Sequence, residues 1–340
     1  MSQLPEWATA HGGALTVATI RSQASDFQVT EICTIDFTGE GEHDFLWIEK
    51  SATNTHWVAE RLASFASVPV RDVGYAGMKD RHAVTRQWFS VRRTGDVEWS
   101  RFAADGVVVL EQQQHRRKLR RGAHSGNSFK IALRSAAIAQ HADVFEQRLQ
   151  LIAEQGVPNY FGAQRFGRGG GNISLCKSLF AGRKMSRAKR SIALSTARSL
   201  IFNDFLNRRV CDQTWNKILP GELANLNGSG SVFPVDELSE ELAARCEAQD
   251  IHPSGPLWGD GSPRSTGIVA RLESATAEDH RDLAQGLVAA RMEPASRALR
   301  LLVSDLRHHF DDGVLWLEFN LTKGGYATSV LRELVTVTGS

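Results

Sequence analysis

Cysteine is scarce in this chain of 340 residues: the four present, Cys33, Cys176, Cys211 and Cys246, lie far apart and form no C-x-x-C pair. That spacing supplies neither a disulfide framework nor a zinc site. The eleven histidines contain no H-x-x-x-H or H-x-x-E-H pattern and no Gly-x-Ser-x-Gly occurs, so neither a metal centre nor a hydrolase elbow is expected. No apolar run is long enough to span a bilayer. The opening residues, M-S-Q-L-P-E-W-A-T-A, lack a basic region followed by an apolar stretch. The expectation is a reduced, cytoplasmic protein. Net charge is nearly absent too, at +2, so global charge announces no polyanionic partner, while 42% hydrophobic and 23% charged residues give a globular composition.

What is missing locally is acid. From Gln112 to Ala142 there is no Asp or Glu, yet Arg116, Arg117, Lys118, Arg120 and Arg121 fall there; Tyr160 to Asn203 is also acid-free and carries Arg165, Arg168, Arg187, Lys189, Arg190 and Arg198. The compensating acids gather between Asp236 and Asp250. Segregation of this kind is what a phosphate-binding surface needs. The glycine run Gly167 to Asn172 has no Lys-Ser/Thr ending and no preceding strand, which argues against a nucleotide loop and for a flexible RNA-contacting turn.

The chain is organised around Val73 to Val91, V-G-Y-A-G-M-K-D-R-H-A-V-T-R-Q-W-F-S-V. Asp80 sits there among turn glycines, Gly74 and Gly77, expected to adopt conformations closed to other residues. Lys79, Arg81 and His82 place positive charge beside it. Alternation from Thr85 to Arg92 then reads as a strand. On chemistry alone, a charged turn entering a strand more often holds an Asp that caps, pairs or meets water.

G-Y-A-G-M-K-D-R-H-A-V-T-R-Q resembles the signature of the TruD family of transfer RNA pseudouridine synthases. Further matches follow in the family's order: S-D-F-Q-V-T-E at Ser25 to Glu31, G-N-S-F-K-I at Gly126 to Ile131, P-N-Y-F-G-A-Q-R-F-G at Pro158 to Gly167, and G-G-Y-A-T-S-V-L-R-E-L at Gly324 to Leu334. Two departures are visible. Ala163 stands where the family commonly has glutamate, and Tyr326 where an aromatic, often Phe, is expected. The resemblance implies isomerisation of uridine to pseudouridine at position 13 of tRNA, without a cofactor, with Asp80 as the catalytic carboxylate. Covalent addition to ribose or base and proton removal to a glycal all remain open routes. It further implies substrate contacts from Phe27, Asn127 and Tyr326, with Phe129 lining the site, and supporting cations at Arg21 and Lys79. Phosphate contacts are expected from Arg116, Arg117, Arg120, Arg121, Arg165 and Arg168, in a basic cleft between two domains. A non-catalytic RNA-binding protein of the same fold would need cations and stacking surfaces but no enclosed carboxylate.

The expected fold is α/β (α+β): a catalytic domain on a mixed, largely antiparallel sheet, formed by 1–155 and 305–340, with an inserted α/β TRUD domain at 156–304. Strands are expected at 14–20, 28–37, 45–50, 85–91, 107–111, from 126, 297–303 and 313–321. Helices are expected from Asn54/Thr55 to Pro69, over 142–155, from a Ser186 cap to about Arg209, over 236–250, from a Thr276 capping box to Met292, and over 327–334. Segments 225–233 and 252–263 read as loops.

Overall fold

The computed structural model describes residues 4–261 and 263–338. It resolves into two compact units, Leu15–Leu149 with Val303–Gly325 and Val335–Ser340, and Met1–Ala14 with Gln150–Leu302 and Tyr326–Leu334. The division falls inside the helix Ala142–Gln155.

The first unit is a ten-stranded mixed sheet. Along its main path the strands run Ser304–Asp311, Val314–Thr322, Gly126–Arg134, Phe27–Ile32, Val84–Arg92, His43–Lys50 and Val107–His115. Thr16–Thr19, Val335–Thr338 and Val73–Tyr75 complete it. Among the described residues Phe27–Ile32 with Val84–Arg92 and Thr16–Thr19 with Val335–Thr338 are the parallel pairs of this sheet, and its other pairs are antiparallel. Period-two burial sets the register: Phe27, Val29 and Glu31 are buried while Gln28, Thr30 and Ile32 are half-covered, and a slip of one residue would reverse the faces. The helix Thr55–Phe65 lays Val58, Ala59, Leu62 and Ala63 against Leu46, Ile48 and Phe89. Its Leu62, fully buried, contributes about 1.5–3 kcal/mol. A second cluster gathers Phe45, Ala76, Trp88 and Leu119 under Phe37 and Trp47.

The second unit packs the helices Gly171–Phe180, Arg187–Cys211, Gly267–Asp279 and Arg281–Ala289 with an antiparallel sheet of order Val232–Val235, Glu222–Leu226, Ile251–Leu257, Ala295–Ala298. Ser186 caps the longest helix, its hydroxyl accepting from the Lys189 amide, and Phe202, Phe205 and Leu206 bury its inner face. Arg209 near its end is fully buried and bonds Glu222 at 2.8 Å. Among the described residues no helix is long and apolar enough to cross a membrane.

Several local expectations change. Segment 225–233 contributes to a hairpin, Glu222–Leu226 with Val232–Val235. Ile251–Leu257 is a strand despite two prolines, because it pairs with one neighbour through Pro253 and with the other from Ser254. Thr276 does not cap a helix: it lies inside Gly267–Asp279, its hydroxyl donating to the Leu272 carbonyl at 2.8 Å, and a second helix starts after His280. The strand from Phe27 ends at Ile32, not Phe37, and Val107–His115 runs four residues beyond Glu111.

Candidate active site

Asp80 lies in the connection between the strands Val73–Tyr75 and Val84–Arg92. The glycines of that connection act through room, not through unusual torsions, since neither Gly74 nor Gly77 has a positive φ. A Cβ on Gly74 would fall 2.4 Å from the Leu119 carbonyl oxygen. The loop is pinned from below. The Lys79 amide donates to Thr55 Oγ1 at 2.9 Å, Thr55 donates to Gln87 Oε1 at 3.2 Å, and Gln87 Nε2 donates to the Gly77 carbonyl at 3.0 Å. Thr55 and Gln87 are fully buried, so these bonds fix the loop where water cannot compete.

The Asp80 carboxylate meets donors on both oxygens. Arg21 Nη2 reaches Oδ2 at 2.6 Å and the His82 amide reaches Oδ1 at 3.0 Å. Its side chain remains 26% exposed. Arg21 has φ +59°, the left-handed region that non-glycine residues rarely enter, and its guanidinium covers the Phe27 ring at 4.3 Å. Strain of this kind persists where surrounding contacts over-determine it. Below Asp80 lies Lys50, fully buried, whose ammonium donates to the Asp80 carbonyl at 2.7 Å and the Thr53 carbonyl at 2.8 Å. Desolvation lowers its pKa to about 8, partly offset by attraction to Asp80.

Lys79 turns into the fold. Its side chain is 5% exposed, 3.1 Å from Glu31 Oε2, and donates to Asn127 Oδ1 at 2.6 Å. Burial pushes the Glu31 carboxyl up and the Lys79 ammonium down, with their mutual attraction opposing both shifts. Phe129 is buried, edge-on to Phe27 at 6.4 Å between ring centres and stacked on Phe319 at 5.4 Å. Arg21, Phe27, Lys79, Asp80, Asn127 and Phe129 are thus joined by contacts within one unit. The arrangement offers one held, partly open carboxylate, amide donors, and cations on two sides of it.

The model of the family "tRNA pseudouridine synthase D (TruD)" matches residues 8–176 and 177–334. The chain belongs to the TruD family. It is 44% identical over 331 residues to tRNA pseudouridine synthase D of Pseudomonas fluorescens and 45% identical over 331 residues to that of Methylococcus capsulatus, covering 96% of this chain and 93% of each relative. The crystal structure of the putative tRNA pseudouridine synthase D (TruD) from Methanosarcina mazei superposes with a TM-score of 0.75 at 19% identity, over 98% of this chain and 96% of that one. At that identity the likeness shows a shared fold.

The TruD motifs acquire local causes. In S-D-F-Q-V-T-E, Asp26 is an anchor: Arg134 grips both its oxygens at 2.7 and 3.0 Å, which holds its carboxyl below the usual range. Glu31 of the same motif holds Lys79. In P-N-Y-F-G-A-Q-R-F-G, the Phe161 amide donates to Asn203 Oδ1 at 2.9 Å, and Asn159 Nδ2 donates to the Ala298 carbonyl at 2.8 Å. Arg165 of that motif is half-buried and donates to Ser195 Oγ and Tyr326 Oη, both at 2.8 Å. Tyr326 therefore belongs to the second unit, where its ring also meets Phe161 edge-on at 6.1 Å. Ala163, in place of the family glutamate, is exposed.

The basic segments divide in the same way. Arg116, Arg117, Arg120 and Arg121 are exposed in the loop after Val107–His115. Of these, Arg116 pairs with Glu40 and Arg121 lies 3.9 Å over the Tyr75 ring, so Arg117 and Arg120 are the more open. Arg168 is exposed in the glycine turn. On the second unit a groove of 600 Å³ runs beside the capped helix, lined by Arg187, Arg190, Arg198 and Arg297 and, among the described residues, by no carboxylate. Sequence reading missed Lys50, Glu31, Thr55 and Gln87 as parts of the site. A lysine closing a strand just after the apolar run F-L-W-I is the one local signal for Lys50.

Proposed function

We propose that this protein converts a uridine of tRNA to pseudouridine, at position 13, with Asp80 as the catalytic residue. The observation that carries the reading is the Asp80 carboxylate, clamped by Arg21 and a backbone amide yet 26% exposed, within the K-D sequence of its family. The reaction breaks C1′–N1, turns the base, joins C1′ to C5 and releases the C5 proton as N1 gains one, so nothing is oxidised and no group carrier is consumed. A carboxylate beside the nucleotide can add to the ribose or base, or take the C2′ proton to a glycal. Arg21 aims it. Reaching a base inside folded RNA requires lifting it from its stack. The base then meets Asn127, with Phe27 supporting the Arg21 guanidinium and Phe129 closing the wall behind; Tyr326 is expected to contact the RNA substrate.

Residues 1–155 and 305–340 form the catalytic domain in this reading, and 156–304 the inserted TRUD domain. Phosphates are met by Arg116, Arg117, Arg120, Arg121 and Arg168, while Arg165 acts through Tyr326. The partner is tRNA, which places the work in the cytoplasm. The test is incubation with unmodified tRNA followed by mapping of carbodiimide adducts as reverse-transcription stops. A new stop at position 13 is expected. Stops elsewhere would reassign the site, and their absence everywhere would remove the enzyme reading in favour of an RNA-binding protein.

A further inference from the structure

Lys79 is the neighbour of Asp80 in sequence, yet its ammonium serves Asn127. Glu31 and Asn127 stand opposite each other across the antiparallel pair Phe27–Ile32 and Gly126–Arg134. Lys79 Nζ lies between them, 3.1 Å from Glu31 Oε2 and 2.6 Å from Asn127 Oδ1. The Glu31 side chain is wholly buried, and its other oxygen accepts from the Trp88 amide at 3.3 Å. The order is therefore carboxylate, ammonium, amide.

A primary amide has an acceptor end and a donor end, and lysine can only donate while it carries its protons. Turning the Asn127 amide over would set N–H against N–H and take from a buried ammonium its amide acceptor. Such a polar mismatch, desolvated, is strongly disfavoured. The polarity of Asn127 is thus fixed by a neighbour outside the base site, with Nδ2 left to face a ligand. Among the described residues Nδ2 makes no hydrogen bond, while Oδ1 has one.

We infer that Asn127 donates to a carbonyl oxygen of the target base, and that Glu31 and Lys79 are positioning residues that set this polarity. The inference rests on the pseudouridine-synthase reading and adds how the base is held and, where the oxygen read is that at C4, how uracil is told from cytosine, which shares the C2 carbonyl. Uracil presents carbonyl oxygens at both C2 and C4. An amino group such as that at C4 of cytosine would meet Nδ2 donor to donor.

Turnover is measured on tRNA carrying uridine, 2-thiouridine or 4-thiouridine at the target position, since a thiocarbonyl sulfur is a poor acceptor. Wild type is expected to lose about tenfold or more in kcat/KM on one of the two thio substrates, the loss of one well-placed hydrogen bond. That substrate identifies the oxygen read. Lys79→Met releases the amide, so it is expected to be slower on uridine and to keep less than about threefold of the thio discrimination. Asn127→Asp retains the acceptor for Lys79 but removes both donors; it is expected to melt like wild type and lose about a hundredfold or more on uridine. Absence of thio discrimination in wild type overturns the inference. So does a folded Lys79→Met that keeps it in full, or Asn127→Asp within threefold of wild type. Should Lys79→Met fail to fold, the wild-type and Asn127→Asp arms decide alone. Wild type inactive on uridine is the distinct failure that removes the enzyme reading beneath it.

Discussion

Replacing Lys50 by Met keeps the buried stem and removes a charge that, among the described residues, forms no ion pair with a carboxylate and is only attracted through space by Asp80. The ammonium is fully buried, and its bonds go to the carbonyls of Thr53 and Asp80. Its pKa falls from 10.5 to about 8, and that difference corresponds to ~3 kcal/mol of penalty on the charged form. The sign follows from proton counting. Below pH 8 the lysine is protonated in both folded and unfolded chains, so the penalty is constant. Between pH 8 and 10.5 the unfolded chain holds the proton and the folded one does not, so the wild type gains stability as pH rises. Lys50→Met has no such gain. At pH 7 the two proteins should differ modestly, because the relieved penalty is opposed by two carbonyls losing donors at about 1–3 kcal/mol each. The stability difference, wild type minus variant, should then grow by ~3 kcal/mol from pH 7 to 10.5 in urea titrations. Turnover should follow the same proton: wild type loses activity through a limb near pH 8 as the charge beneath Asp80 disappears, and the variant lacks that limb. A flat stability difference would refute the buried-charge reasoning, whatever the activity does.

Other outcomes follow from packing and charge. Phe27 is 5% exposed, so Phe27→Ala should cost about 3–5 kcal/mol of stability; an unchanged melting temperature would mean that the ring bears little packing. Arg209→Met strands the buried Glu222 carboxylate and should cost about 3–5 kcal/mol in urea unfolding, and a loss below 1 kcal/mol would show that Glu222 simply takes up a proton. Exchanging Arg116, Arg117, Arg120 and Arg121 for Gln should weaken tRNA binding and lower the log-log salt slope by about 2 to 3 units. An unchanged slope would return this loop to a solvated edge.

Much of the fold was legible because its signals are local. Alternation marked Phe27–Ile32 and Val84–Arg92, amphipathic spacing marked Ala142–Gln155, and a serine before a basic run marked the start of the longest helix. Proline misled at Ile251–Leu257, where pairing passes from one neighbour to the other and so tolerates missing amides. The second compact unit also takes in residues 1–14 and 326–334, which no composition change announces. Around Asp80 the motif names the carboxylate but not its supports. Lys50 and Glu31 reach the site only through strand register, and the pairing of Glu31 with Asn127 across nearly a hundred residues of chain is invisible to spacing. Even the direction of Lys79 is decided by which buried groups await it, and a sequence does not show those.

The proposed mechanism puts the chemistry on the Asp80 carboxylate and lets the fold and the RNA surface stand without it. Asp80→Asn tests this most directly, because the amide oxygen can still accept from the His82 amide as Oδ1 now does. Pseudouridine formation on unmodified tRNA should fall below detection, with tRNA affinity within about threefold of wild type and the melting temperature nearly unchanged. Activity within about tenfold of wild type, no more than about 1.4 kcal/mol of barrier, would contradict the account.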